Sequence, residues 1–60
     1  MREFAVYMMN TDLITVINAA GWEIEDNTLV CFVDEQDETI AIFNVRNIAG
    51  FKEINENESE

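Results

Sequence analysis

Apolar residues in this chain recur at every second position or in short unbroken runs. One segment alone offers a competing helical spacing. The first run, Glu3-Phe4-Ala5-Val6-Tyr7-Met8-Met9, is aromatic and β-branched, and Asn10-Thr11-Asp12 punctuates it. It predicts a strand and then a turn. Leu13-Ile14-Thr15-Val16-Ile17-Asn18 predicts a second strand, since Ile-Thr-Val-Ile makes a poor helix interior. A helix over 12–20 competes: Thr11 or Asp12 would cap it, Leu13, Val16, Ile17 and Ala20 would share a face, and Gly21 would end it. Ala19-Ala20-Gly21 is a break at which Gly21 is expected to bend the chain or form a bulge. Trp22-Glu23-Ile24-Glu25 alternates, with Trp22 and Ile24 expected to face inward.

Asp26-Asn27 reads as a tight turn of residues that tolerate left-handed backbone. Strands follow over 28–33 and 39–45. Asp34-Glu35-Gln36-Asp37-Glu38 joins them as a hairpin connection. Arg46 to Gly50 predicts a turn or short helical turn, and Phe51-Lys52-Glu53-Ile54 a short last strand. The fold class is therefore all-β: a small bent antiparallel sheet or barrel of five to six short strands. Residues 1–54 are expected to form a single small β domain, and 55–60, NENESE, a disordered acidic tail.

Side chains alternate across a strand. On the 29–33 strand, Leu29, Cys31 and Val33 oppose Val30 and Phe32. On the 39–45 strand, Ile40 and Ile42 oppose Ala41, Phe43 and Val45. On the first strand, Phe4, Val6 and Met8 oppose Ala5, Tyr7 and Met9. Both faces are apolar, whereas a lone antiparallel sheet keeps one face polar. Sixty residues cannot cover both. A homo-oligomer, most simply a two-fold dimer, is expected, with Tyr7, Phe32 and Phe43 at its interface. A barrel that curls enough to hide one side is the alternative.

Composition narrows the function classes. Thirteen Asp and Glu against three Lys and Arg give a net charge of −10. That opposes direct contact with nucleic acid or an anionic membrane and favours a basic protein surface. A hydrophobic share of 48% is too high for a disordered acidic chain. No run approaches a membrane span of about 20 residues. MREFAVYMMNTD lacks a signal-like segment, and the one cysteine rules out a disulfide framework. A cytoplasmic protein is expected, in the host cell if phage-encoded.

Candidate chemistry is sparse. There is no histidine and no phosphate-cradling glycine loop, so neither an enzyme nor a cofactor is expected. Cys31, mid-strand with no histidine or nearby cation to activate it, reads as an inert packed thiol. Asp34-x-x-Asp37 lacks the ligand spacing of a calcium loop, so no metal is expected. The acidic hairpin has two readings. As a gatekeeper, its charge blocks edge-to-edge aggregation. As a docking element, Asp34, Glu35, Asp37 and Glu38 join Glu23, Glu25 and Asp26 in an acidic patch for a basic partner, with Trp22 as an aromatic anchor. The loop has no glycine, so Gln36 or Asp37 must take any left-handed position. Arg2, Arg46 and Lys52 are the only side-chain cations. In a dimer, Arg2, Arg46 or Lys52 would sit in an intersubunit pocket for an anionic small molecule.

From Ala20 to Ile54 the pattern AGWEIEDNTLVCFVDEQDETIAIFNVRNIAGFKEI resembles small acidic all-β proteins of phages and mobile elements. The resemblance covers a little over half the chain: a Trp-containing strand, an apolar strand, an acidic turn, and an Ile-Ala-Ile-Phe strand leading to Ile-Ala-Gly-Phe. Asp37 stands where that pattern has glycine. The resemblance implies an often oligomeric protein with no catalytic residues to carry over, and a class that includes inhibitors of host machinery and anti-defence proteins. The expected function is thus a non-enzymatic inhibitor that occludes a bacterial host protein concerned with defence or nucleic-acid handling. A structural subunit of a larger particle and an oligomeric sponge for an anionic signalling molecule are the alternatives.

Overall fold

The computed structural model describes residues 1–54; the tail expected over 55–60 lies outside the described residues. Six strands run in order: β1 (Arg2–Met8), β2 (Ile14–Ala19), β3 (Gly21–Glu25), β4 (Leu29–Val33), β5 (Thr39–Asn44) and β6 (Ile48–Ile54). A single 3-10 turn, Val45–Asn47, separates the last two. The strands form two three-stranded antiparallel sheets, ordered β2-β1-β6 and β3-β4-β5. The all-β expectation holds, and the competition over 12–20 is settled as strand. β2 pairs along β1 from Arg2↔Ala19 to Tyr7↔Ile14.

The chain changes sheet twice. β2 runs into β3 through a bend at Ala20, whose N–H donates to the Val33 carbonyl at 2.8 Å. The return passes through the 3-10 turn. Strands that cross between sheets at bends are the usual way to build corners in small two-sheet cores. The bend expected at Gly21 falls one residue earlier: Gly21 already belongs to β3 and its φ is not positive. A Cβ built there meets nothing within 4 Å, so neither backbone nor packing demands glycine.

Two other boundaries differ from the sequence reading. The helical turn expected over 46–50 occupies only 45–47. Its Arg46 N–H finds a cap in Asn44, whose Oδ1 accepts it at 2.9 Å. The last strand begins at Ile48 rather than Phe51, because Ile48 pairs with Met8 and is buried.

The core lies between the sheets. Phe4, Val6 and Ala19 come from the first; Val30 and Phe32 come from the second; Ile48 joins them. Phe32 is the hub, with ring centroids 5.3 Å from Phe4, 5.4 Å from Phe51 and 5.9 Å from Phe43. Tilted and edge-on aromatic pairs at such distances add to the area they bury. Every buried side chain among the described residues is apolar. Phe32 is wholly enclosed, and Phe43 is half-buried against it. This corrects the interface expectation for both. They face the chain's own core, because β4 and β5 turn the Val30/Phe32 and Ala41/Phe43 faces inward. Tyr7 is on the opposite, outward face of β1.

Candidate interaction surfaces

The acidic hairpin is built around one of its own carboxylates. Asp34 Oδ1 accepts from the N–H groups of Gln36 and Glu38, each at 2.9 Å. The Asp37 N–H donates to the Asp34 carbonyl at 3.0 Å, and the Asp34 N–H to the Glu38 carbonyl at 2.9 Å. A side-chain oxygen that binds backbone two residues on mimics a turn. Asp37 takes the left-handed position, with φ 67°. The concentration of acids between two apolar strands is thus partly architectural: Asp34 clamps the loop and Asp37 supplies its kink. Glu35 and Glu38 are exposed, and no hydrogen bond of their carboxylates occurs among the described residues.

The other turn of the second sheet is tighter. Asp26 (φ 53°) and Asn27 (φ 57°) are both left-handed, and the Thr28 N–H donates to the Glu25 carbonyl at 2.9 Å. Two successive left-handed residues reverse the chain within the three-residue connection 26–28, the left-handed geometry that the sequence led us to expect.

The seven acids of the expected patch do not form one surface. Asp26 and the 34–38 loop sit at opposite ends of β4, a five-residue strand, roughly 17 Å apart at 3.3 Å per residue. Glu23 and Glu25 lie along β3, opposite Cys31 and Leu29, on the outward face of the second sheet. They fringe that face and leave the loop as a separate acidic tip. Trp22 points to the inner side, as expected, yet stays 44% exposed because β3 is an edge strand. Its ring meets Phe51 edge-on at 4.9 Å. With Ile24, exposed on the same side, it forms a half-open aromatic ledge.

The outward faces hold the apolar excess. On the first sheet Ile14 and Val16 are exposed beside Ala5 and Tyr7; on the second, Ile40 and Ile42 are exposed beside Cys31. These outward residues were hard to find from sequence, since alternation gives two apolar faces without saying which is inside.

Arg2 is committed to the fold. Its Nε and Nη2 donate to the two carboxylate oxygens of Glu53 at 2.9 and 3.1 Å, and Nη1 donates to the Ala20 carbonyl at 2.9 Å. The guanidinium lies 5.3 Å from the Phe4 ring centre. Its hydrogen bonds to Glu53, and then the carboxylate's charge, raise its pKa further. One side chain thereby ties β1, β6 and the sheet-crossing bend. This role was not legible from sequence, because the partners are 51 and 18 residues away. Arg46 is exposed on the 3-10 turn and Lys52 on the outward face of β6, so the three cations do not converge.

Cys31 is buried between Glu23 and Ile42. Burial pushes its thiol pKa up, and the charges of Glu25 and Glu23 push it further, so the reactive thiolate is disfavoured. Among the described residues no three of Cys, Asp or Glu gather as metal ligands, and no helix is long and apolar enough to cross a membrane. The geometry defines a small all-β domain whose features are surfaces. No family model, curated protein or solved structure matches the chain.

Proposed function

We propose that this protein acts without catalysis, by binding and occluding a basic surface of a bacterial host protein, in the manner of a phage or mobile-element inhibitor of a defence or nucleic-acid-handling factor. The observation that carries this reading is the conjunction of a net charge of −10 with an acidic tip held rigidly by Asp34. A preorganised loop loses little entropy on docking. Excess negative charge speeds encounter with a basic groove that ordinarily holds nucleic acid. Glu35 and Glu38 at the tip are the contact carboxylates, and Trp22 is a neighbouring apolar anchor.

The exposed isoleucines favour one second reading, a subunit whose apolar faces build a larger particle, with the charge serving solubility. The sponge for an anionic molecule loses support from the geometry, since Arg2 is already occupied by Glu53 and the Ala20 carbonyl.

Bacteria carrying defined defence systems, expressing this chain and challenged with phage, test the proposal. Occlusion predicts that one system is relieved, and that Glu35→Lys with Glu38→Lys abolishes relief while the fold persists. Asp34 is left untouched because its loss would open the loop. Full relief by the reversed variant contradicts the reading, as does the absence of any relieved system together with no reproducible partner at low or high salt. Assembly into a particle predicts indifference to the reversal.

A further inference from the structure

The two outward faces differ in charge. That of the second sheet is fringed by Glu23 and Glu25 beside Cys31 and Ile42. That of the first carries Ala5 and Tyr7 from β1, Ile14, Val16 and Asn18 from β2, and Lys52 and Ile54 from β6; its one acid is Glu3. In a chain with thirteen acids and three side-chain cations, a face holding one of each is a local exception. The registers fix where they sit. Glu3 pairs with Ile54 and Ala5 with Lys52, so Glu3 and Lys52 occupy one diagonal and Ala5 and Ile54 the other. Val16 lies beside Ala5 on the far strand.

We propose that a second copy of this chain covers the outward face of the β2-β1-β6 sheet, across a two-fold axis that runs along the Ala5–Ile54 diagonal. The axis exchanges the two ends of the other diagonal, so Glu3 meets Lys52 of the partner subunit, and Lys52 meets Glu3 of the partner subunit. An isologous interface needs this self-complementarity. Ala5 and Ile14, which the continued diagonal crosses, contact their own equivalents, and Val16 and Tyr7 flank them and extend the apolar area. The opposite face cannot pair with itself in this way, because Glu23 and Glu25 would be brought against like charge. This inference stands apart from the occlusion reading and survives its failure.

Salt separates the two interactions. Two bodies each carrying −10 repel, and salt screens that repulsion over about 10 Å at 0.1 M. The dimer therefore tightens with added salt, while docking to a basic partner weakens.

The test is light scattering or sedimentation from micromolar to millimolar concentration, with the fold followed by circular dichroism. The wild type is expected to approach twice the 6.9 kDa chain mass, more readily at high salt. Val16→Glu, at a 53% exposed site, is expected to give a folded monomer. Ile14→Glu on the same face serves if Val16→Glu fails to fold. Lys52→Glu should weaken association at least about tenfold through like-charge contact, and Glu3→Lys combined with Lys52→Glu should restore it. A chain that stays monomeric throughout overturns the proposal. So does a dimer that survives Val16→Glu and Ile14→Glu but is lost in Ile42→Glu, or a charge swap that fails to rescue.

Discussion

The outward faces of the two sheets are built from the same kinds of strand, yet they differ where it matters for contact. Each has a central strand with a small buried residue facing outward: Ala5 in β1 and Cys31 in β4. Each has exposed branched residues on an edge strand: Ile14 and Val16 in β2, Ile40 and Ile42 in β5. The difference is on the opposite edge. There β6 contributes Lys52 and Ile54, while β3 contributes Glu23 and Glu25. Apolar content alone would assign both faces the same occupant. Three charges on these edge strands divide them in the dimer proposed above: the Lys52 face would meet its own copy, while the Glu23 and Glu25 face would repel one and leave its apolar stripe open to a different chemistry.

Both faces depend on a core that holds the two sheets in place, and Phe32→Ala disrupts it most. The ring is fully buried and touches aromatic side chains from both sheets. Its removal should cost about 3–5 kcal/mol, enough to unfold a domain this small. Chemical denaturation would show the transition lost or moved close to zero denaturant. Asp34→Ala comes next. It strips two backbone N–H groups of their acceptor and should cost about 1–2 kcal/mol. Asp34→Asn keeps the carbonyl acceptor and should lose much less, which separates the clamp from the charge. Asp37→Gly should be neutral or gain up to about 1 kcal/mol, since glycine accepts a φ of 67° without strain. The smallest effect concerns the second sheet's outward face. Because folding raises the Cys31 pKa, the unfolded thiol ionises first. Stability is undiminished below the ordinary thiol range and falls as pH rises through it toward the folded value. A matched pH series on wild type and Cys31→Ser should show the steeper alkaline decline in the former, with alkylation of the native thiol slow at neutral pH.

Much of the architecture was legible because strand alternation and turn chemistry are local. Asp26-Asn27 announced a left-handed turn, and Ile-Thr-Val-Ile resisted a helix. Asp37 was one of two residues expected to take the left-handed position, and it does. What could not be read is nonlocal. Nothing in strand periodicity says that Phe32 and Phe43 face the core and Ile40 and Ile42 face out, because both faces are apolar; that is decided by which sheet packs against which. The corner at Ala20 was placed one residue late because glycine attracted it, although the bend needs only the Val33 carbonyl and the Arg2 guanidinium to hold it. The acids also looked like a single patch, since they cluster in sequence, and β4 divides them.

The most direct measurement is an NMR dilution series on the uniformly labelled chain at two salt concentrations. A two-fold contact on the first sheet predicts concentration-dependent shifts at Ala5, Val16, Lys52 and Ile54, larger at high salt, with Glu23, Cys31 and Ile42 unmoved. Shifts centred instead on Cys31 and Ile42, or no change at any concentration, would contradict the division of labour between the two faces.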